Sequence, residues 1–355
     1  MSGIIETEKK QKVAVALSGG LDSSVVCWLL KEQGYDVVAV TAKMFHNENA
    51  DIIVEKAKNV AQKLGISHYV LDLSNEFKRD VIDYFENEYR QAKTPNPCIL
   101  CNRCIKWGKL FDFAINELGC DYVASGHYAK IVDQDGVKKL YPAKDEKKDQ
   151  QYYLFELAQH QLEKILFPLS DYVKDEIRQM AIDNDLPSKS SKESQDICFI
   201  KKPMTTKRYL IEKFGIQQGI FIFYKTGEKM GTHEGFWQYT IGQRKGIGIA
   251  FTEPLYVVGL DAKENIVYLG TKEDLLKNSL EFENLHLQYE MCEKEFLANV
   301  KIRYNMQPEK GRVFIDNNNC GRILFEKSVA SVTSGQAVVF YNLDDRHLIG
   351  GAWIK

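Results

Sequence analysis

The chain has 355 residues, 44% of them hydrophobic, and its 47 basic and 49 acidic side chains leave a formal net charge of −2 at pH 7. That length carries two or three domains with sizeable cores. The near-cancelled charge excludes indiscriminate nucleic-acid binding but leaves room for a folded RNA on local basic patches. No apolar run reaches the roughly eighteen residues of a membrane span. Met1–Lys12 is polar, lacks the apolar centre of a secretory signal, and reads as a loose tail. Eight scattered cysteines in a chain of cytoplasmic type favour reduced thiols over disulfides.

In chain order, the first informative stretch is VAVALSGGLDSSVV from Val13 to Val26. Its small apolar residues predict a buried parallel strand. Ser18, Gly19 and Gly20 make a turn, and Val25–Leu30 predicts a helix ending before Gly34. Strand, glycine turn and helix aim free backbone N–H groups at an anion. The Lys of the common Gly-Lys-Ser/Thr nucleotide loop is absent. Binding would therefore rest on N–H groups, on the hydroxyls of Ser18, Ser23 and Ser24, and on Mg²⁺.

Strands are then predicted at Tyr35–Thr41, His68–Leu73 and Asp121–Ser125. Helices are predicted at Ala50–Leu64, Phe77–Tyr89, Ile105–Leu118, Tyr152–Ile165 and Val173–Asp183. The alternation implies a doubly wound parallel α/β sheet. In such sheets the ligand lies beyond the carboxyl ends of the strands, so the loops at Ser18–Gly20, Thr41–Met44 and Ser125–His127 should converge. Beyond Pro203 one helix (Thr206–Phe214) precedes short strands at Ile220–Tyr224, Tyr256–Leu260 and Ile266–Leu269. Further strands, Ala298–Tyr304, Arg312–Ile315, Arg322–Phe325, Ala337–Tyr341 and Leu348–Ile354, are spaced as in a small barrel. The expected division is a catalytic domain at 1–203, a small mixed domain at 204–275 and a β-barrel at 276–355.

Thr94–Cys104 (TPNPCILCNRC) is the second informative stretch. Its two prolines predict an extended loop, with Cys98, Cys101 and Cys104 following at three-residue spacing. The third stretch, KESQDICFI, places Cys198 in a short apolar strand. Three chemistries compete for these thiols. A structural zinc site would be completed by Cys198 or Cys120. A 4Fe-4S cluster would be held by Cys98, Cys101 and Cys198 or Cys104. A reactive pair would carry a persulfide on one member, which needs a lowered thiol pKa. Cys27, Cys120, Cys292 and Cys320 read as structural or incidental.

Ser-Gly-Gly-Leu-Asp-Ser-Ser resembles the pyrophosphate loop of ATP pyrophosphatases. Thr-Pro-Asn-Pro with Cys-Asn, Gly-His-Tyr, Lys-Asp-Gln, Ser-Gln-Asp-Ile-Cys-Phe, Tyr-Thr-Ile-Gly-Gln-Arg-Lys-Gly and Ser334-Gly-Gln336 follow it in order. Over residues 13–355 the chain resembles the tRNA-specific 2-thiouridylases of bacterial and organellar type. The resemblance implies ATP contacts at Ala16, Leu17, Ser18, Gly19, Gly20, Leu21, Asp22, Ser23, Met44 and Gly126, with Mg²⁺. It implies Cys101 as nucleophile and Cys198 as persulfide carrier, with a Cys101–Cys198 disulfide left after transfer. It assigns the target base to Asn96, Pro97 and Cys98. Other tRNA contacts fall on His127, Lys148, Asp149, Gln150, Arg303, Tyr304 and Gln336. Lys201, Lys202, Lys207, Arg208, Arg244 and Lys245 add basic candidates for RNA.

The implied reaction is ATP-dependent 2-thiolation of a uridine, the wobble base of Lys, Glu and Gln tRNAs, in the cytoplasm, with sulfur from a donor protein. The chain departs from the family at Ala16-Leu17 (for Gly-Met), at the segment after the second strand, which lacks a Trp, and at Cys98, where many members have Asp. The last departure keeps the cluster alternative open. Two other readings are an ATP pyrophosphatase with a nitrogen nucleophile and a non-catalytic RNA-binding protein with a structural metal.

Overall fold

The computed structural model describes residues 10–191 and 197–355. In it, β1 (Lys12–Ala16) is fully buried along Val13–Val15, as its run of small apolar side chains requires. α1 (Leu21–Glu32), β2 (Asp36–Lys43), α2 (Glu48–Leu64) and β3 (Ser67–Asp72) follow. β4 (Tyr122–Ala124), a hairpin β5 (Lys130–Gln134) and β6 (Val137–Tyr141), and β7 (Ile165–Leu166) come later. The sheet runs β3-β2-β1-β4-β7, all parallel. β1 is central, so both its faces are covered and its carboxyl end faces the reversal of strand order. Asn47 caps α2 by accepting from the Ala50 N–H at 3.0 Å, and Gly65 ends it in the left-handed region. Val25 and Val26 of α1, Ala57 and Val60 of α2, and Ile177 and Ala181 of α3 (Lys174–Asp183) pack with β1 into one core.

The chain divides into two compact units. The first holds Met1–Asp80 and Leu100–Glu193, the second Val81–Ile99 and Ser194–Lys355. The second unit opens its own sheet after α4 (Thr206–Phe214), with β8 (Gly219–Phe223), β9 (Lys229–His233), β10 (Tyr256–Asp261) and β11 (Ile266–Gly270). The order is β10-β11-β8-β9, with β11 and β8 parallel and the other pairs antiparallel. β12 (Leu276–Leu287), β13 (Glu295–Lys301), β14 (Glu309–Ile315), β15 (Gly321–Ala330), β16 (Ala337–Tyr341) and β17 (Leu348–Ile354) then close a six-stranded barrel, β12-β15-β14-β13-β16-β17. Closure leaves no open edge, and Phe282, Val300, Val313, Ile323 and Phe340 fill its interior.

The expected fold class holds: a parallel α/β sheet, a small mixed sheet and a terminal barrel. Several local expectations do not. The segment after Thr94 is not an extended loop throughout. Pro97 opens a helical run, Pro97–Leu100 and then Cys101–Leu110 in π-type turns. A proline at a first helical position sacrifices no hydrogen bond, so it starts helices as readily as it breaks them. Tyr152–Ile165 is not one helix but a 3₁₀ turn (Gln151–Leu154), a short helix (Gln159–Leu162) and β7. Cys198 lies in a turn, exposed, and not in a strand. The tail call over residues 1–9, and the Lys192–Asp196 part of the third cysteine stretch, lie outside the described residues.

Candidate active site

The loop after β1 is built for an anion. Gly20 caps α1 with no side-chain hydrogen bond, so the first-turn N–H groups are not satisfied by a cap. Gly19 is left-handed, at φ +70°, and a Cβ there would sit 2.7 Å from Lys56 Cβ and 2.9 Å from Ala57 N of α2. Both the dihedral and the approach of α2 demand glycine. Ser18 is exposed, and its Oγ lies 3.1 Å from Ser23 Oγ. Ser24 Oγ donates to the Gly20 carbonyl at 2.7 Å, bracing the turn from inside.

The three loops expected to converge do so. Thr41 Oγ1, in β2, donates to the Leu17 carbonyl at 2.7 Å. At the end of β4, a Cβ on Gly126 would stand 2.8 Å from Asp22 Cβ and 3.1 Å from Ser23 N, so that loop lies directly on the start of α1. Met44, half-buried, follows β2. Ala16, Leu17, Leu21 and Gly126 therefore line or support one concave end of the sheet.

Sequence reasoning missed two residues here. Lys174 Nζ, at the start of α3, bonds Asp22 Oδ1 at 2.7 Å and Oδ2 at 2.6 Å. The Tyr128 hydroxyl donates to Asp22 Oδ1 at 2.8 Å. The ion pair places an ammonium beside the start of α1, next to a loop that has no lysine of its own. No local signal points to it, because α3 is remote in sequence. These groups fit ATP in kind: N–H donors at the start of α1, a serine hydroxyl and an ammonium lie at one end of the sheet. Asp22 is the carboxylate that would hold Mg²⁺, which usually takes one or two carboxylates plus phosphate oxygens.

Cys101 is buried and starts the π-type turns, while the next residue, Asn102, donates from Nδ2 to the Tyr153 carbonyl at 3.0 Å and pins this turn. Cys98 is exposed and Cys104 half-buried. Arg103 pairs with Glu156 at 3.1 Å. Cys101 and Cys104 both stand in the π-type turns of Cys101–Leu110. Among the described residues, no three His, Cys, Asp or Glu groups gather as a metal site, and no disulfide is present.

The residues assigned to RNA fall in contrasting settings. Asn96 is half-buried, Pro97 buried, and Lys148, Asp149, Gln150 and Tyr304 half-buried. Gln150 accepts from the Tyr128 N–H at 3.0 Å. His127 is only 8% exposed, its Nδ1 lies 2.7 Å from Ser125 Oγ, and its ring packs on Trp107 and Phe167. Burial, with Lys106 nearby, holds its pKa well below the ordinary 6.5. Its side chain is packed among these rings. Arg303 and Gln336 spend side-chain donors on backbone carbonyls of their own unit.

Three family models match consecutive parts of the chain: a tRNA methyl transferase HUP domain over residues 11–202, a tRNA methyl transferase PRC-barrel domain over 207–271 and an aminomethyltransferase beta-barrel domain over 277–354. The chain is 41% identical over 360 residues to the tRNA-specific 2-thiouridylase MnmA of Clostridium acetobutylicum, covering 97% of this chain and 99% of the relative. It is 40% identical over 359 residues to the protein of the same name from Clostridium perfringens, covering 98% and 99%. Among solved structures, the U34-tRNA thiolase NcsA from Methanococcus maripaludis, with its 4Fe-4S cluster, is similar at 21% identity over 55% of this chain and 63% of that one, with a TM-score of 0.37. Near-full-length identity at this level settles the assignment: the chain belongs to the tRNA-specific 2-thiouridylase family.

Proposed function

We propose that the protein is an ATP-dependent tRNA uridine 2-sulfurtransferase of the cytoplasm, acting on the wobble uridine of Lys, Glu and Gln tRNAs. The observation that carries this reading is the uncapped start of α1 behind Gly19 and Gly20, with Lys174 beside Asp22. ATP binds there, and the C2 oxygen of the uridine attacks the α-phosphate. The α–β bridging bond breaks and pyrophosphate leaves, its charge stabilised by N–H groups and Lys174. Mg²⁺, when bound, supplies further neutralisation of the phosphates.

The terminal sulfur of a persulfide on Cys198 then bonds C2, and AMP departs with the original oxygen. The Cys101 thiolate attacks Cys198 Sγ. The bond between the two persulfide sulfurs breaks, its electron pair stays with the sulfur on C2, and a Cys101–Cys198 disulfide remains for an external thiol to reduce. A sulfur-donor protein loads Cys198. We assign ATP and sulfur chemistry to residues 1–203, and the small mixed domain (204–275) and barrel (276–355) to tRNA recognition and support.

The test is anaerobic purification with iron, sulfide and zinc analysis, alongside thiolation of unmodified tRNA with a persulfide donor. Metal-free protein that thiolates supports the reading. Activity that tracks stoichiometric iron and is lost in Cys98→Ala overturns it in favour of a cluster. AMP formation without thiolation, unaffected by alanine at Cys101 and Cys198, points to a nitrogen nucleophile.

A further inference from the structure

The proline segment before Cys98 is held by the barrel's turn between β15 and β16. Thr94 N donates to the Ser334 carbonyl at 2.9 Å. Gln336 Nε2 donates back to the Thr94 carbonyl at 2.8 Å and lies 3.4 Å from the Pro95 carbonyl. Gly335 sits between them at φ +83°, where a Cβ would be 2.9 Å from Lys93 Cβ and 3.2 Å from Thr94 N. The turn is fixed in its own right. Gly335 N donates to the Ile354 carbonyl at 3.0 Å, and Ile354 N donates to the Gln336 carbonyl at 2.9 Å. Arg303 Nη2 reaches the Ser331 carbonyl at 3.1 Å, Thr333 Oγ1 at 2.6 Å and the Ile241 carbonyl at 2.8 Å.

The need for such a holder follows from the sequence. Pro95 and Pro97 have no N–H, so Thr94–Pro97 cannot join a strand ladder, and its carbonyls need donors from elsewhere. A glutamine amide is a planar substitute for a backbone N–H. With the Thr94 N–H on one side and the Gln336 amide on the other, the segment is bonded as one step of a strand pair would be.

We propose that Gln336 is a positioning residue: it sets Thr94 and Pro95, and through them the Asn96–Cys98 segment that receives the target base. Arg303 is the second tier, holding the turn from which Gln336 acts. This assignment rests on the thiolation reading for its kinetic consequence, but its structural consequence stands alone.

The test uses full-length Gln336→Met, nearly isosteric and uncharged, with Gln336→Lys as a variant that keeps a donor at similar reach. In Gln336→Met, tRNA affinity should change by less than about threefold while single-turnover thiolation at saturating tRNA and ATP falls by about tenfold or more. Amide exchange across Lys93–Ile99 should accelerate, and Gln336→Lys should recover part of the rate. Affinity weakened about tenfold, with an unchanged saturating rate and unchanged exchange, overturns the proposal and makes Gln336 an RNA contact. If wild-type protein shows no thiolation, the functional reading has failed, and the exchange result alone decides whether Gln336 holds the segment.

Discussion

Lys174 Nζ lies within 2.7 Å of both carboxylate oxygens of Asp22, although 152 residues separate the two in sequence. Tyr128 makes the third side, with its hydroxyl on Asp22 and its ring 5.6 Å below the ammonium. The Lys174 and Asp22 side chains are 12% and 29% exposed. Lys174→Ala should lower AMP formation in the presence of tRNA by roughly 10²-fold, the scale of losing one charged stabilising group. Fold stability should change far less, by about 1 kcal/mol. Rates of AMP release and a urea titration measure the two effects separately. Unchanged AMP formation would remove Lys174 from the ATP site.

Gly19→Ala should destabilise the first unit by about 2–4 kcal/mol, combining left-handed strain with a clash on α2. Gly20→Ala should cost less in stability, because the nearest heavy atom to its Cβ is Ser18 Oγ at 3.4 Å. Denaturant midpoints of the two variants give the comparison, and equal midpoints would contradict the packing argument.

Cys101→Ser and Cys198→Ser should each abolish thiolation, by at least about 10³-fold, since a hydroxyl does not replace a thiolate in sulfur exchange. Both should still release pyrophosphate on forming the adenylate, the half-reaction that precedes sulfur attack. Cys98→Ala and Cys104→Ala should keep thiolation within about threefold of wild type. Measurement of 2-thiouridine in digested tRNA separates these outcomes, and loss of product in Cys104→Ala would show that the assignment of roles is incomplete.

His127 makes stability depend on acid. Its folded pKa is depressed by burial, so between the unfolded value near 6.5 and that lower folded value the unfolded chain binds the extra proton. Stability is therefore full above about pH 6.5 and falls as pH drops towards the folded pKa, by up to about 1.4 kcal/mol per pH unit. His127→Gln should flatten this limb in unfolding curves taken from pH 7 to pH 5. A limb of undiminished slope would place the titrating group elsewhere.

The sheet was legible because β1, β2 and α2 carry strong local patterns, and β16 and β17 were found to the residue. The helix from Pro97 was not, since proline is read as a breaker unless the next turn is known. β9 and the β5–β6 hairpin carry glycine and charge and offer little apolar alternation. Within the site, the loop glycines and Cys101 stand in contiguous motifs. Lys174, Tyr128 and Asn102 act through contacts that only the folded chain creates, as do the internal hydrogen bonds of His127, Arg303 and Gln336.

Cys27 is wholly buried in α1, and burial pushes its thiol pKa far above the ordinary range. Cys120 is buried too, and its thiol is likewise raised. A chain that handles activated sulfur carries eight thiols and has to keep that sulfur from straying. Desolvation does this for two of them by denying them the thiolate form. Cys292, by contrast, is exposed on the second unit. Fidelity in such a chain is in part a property of its apolar interior.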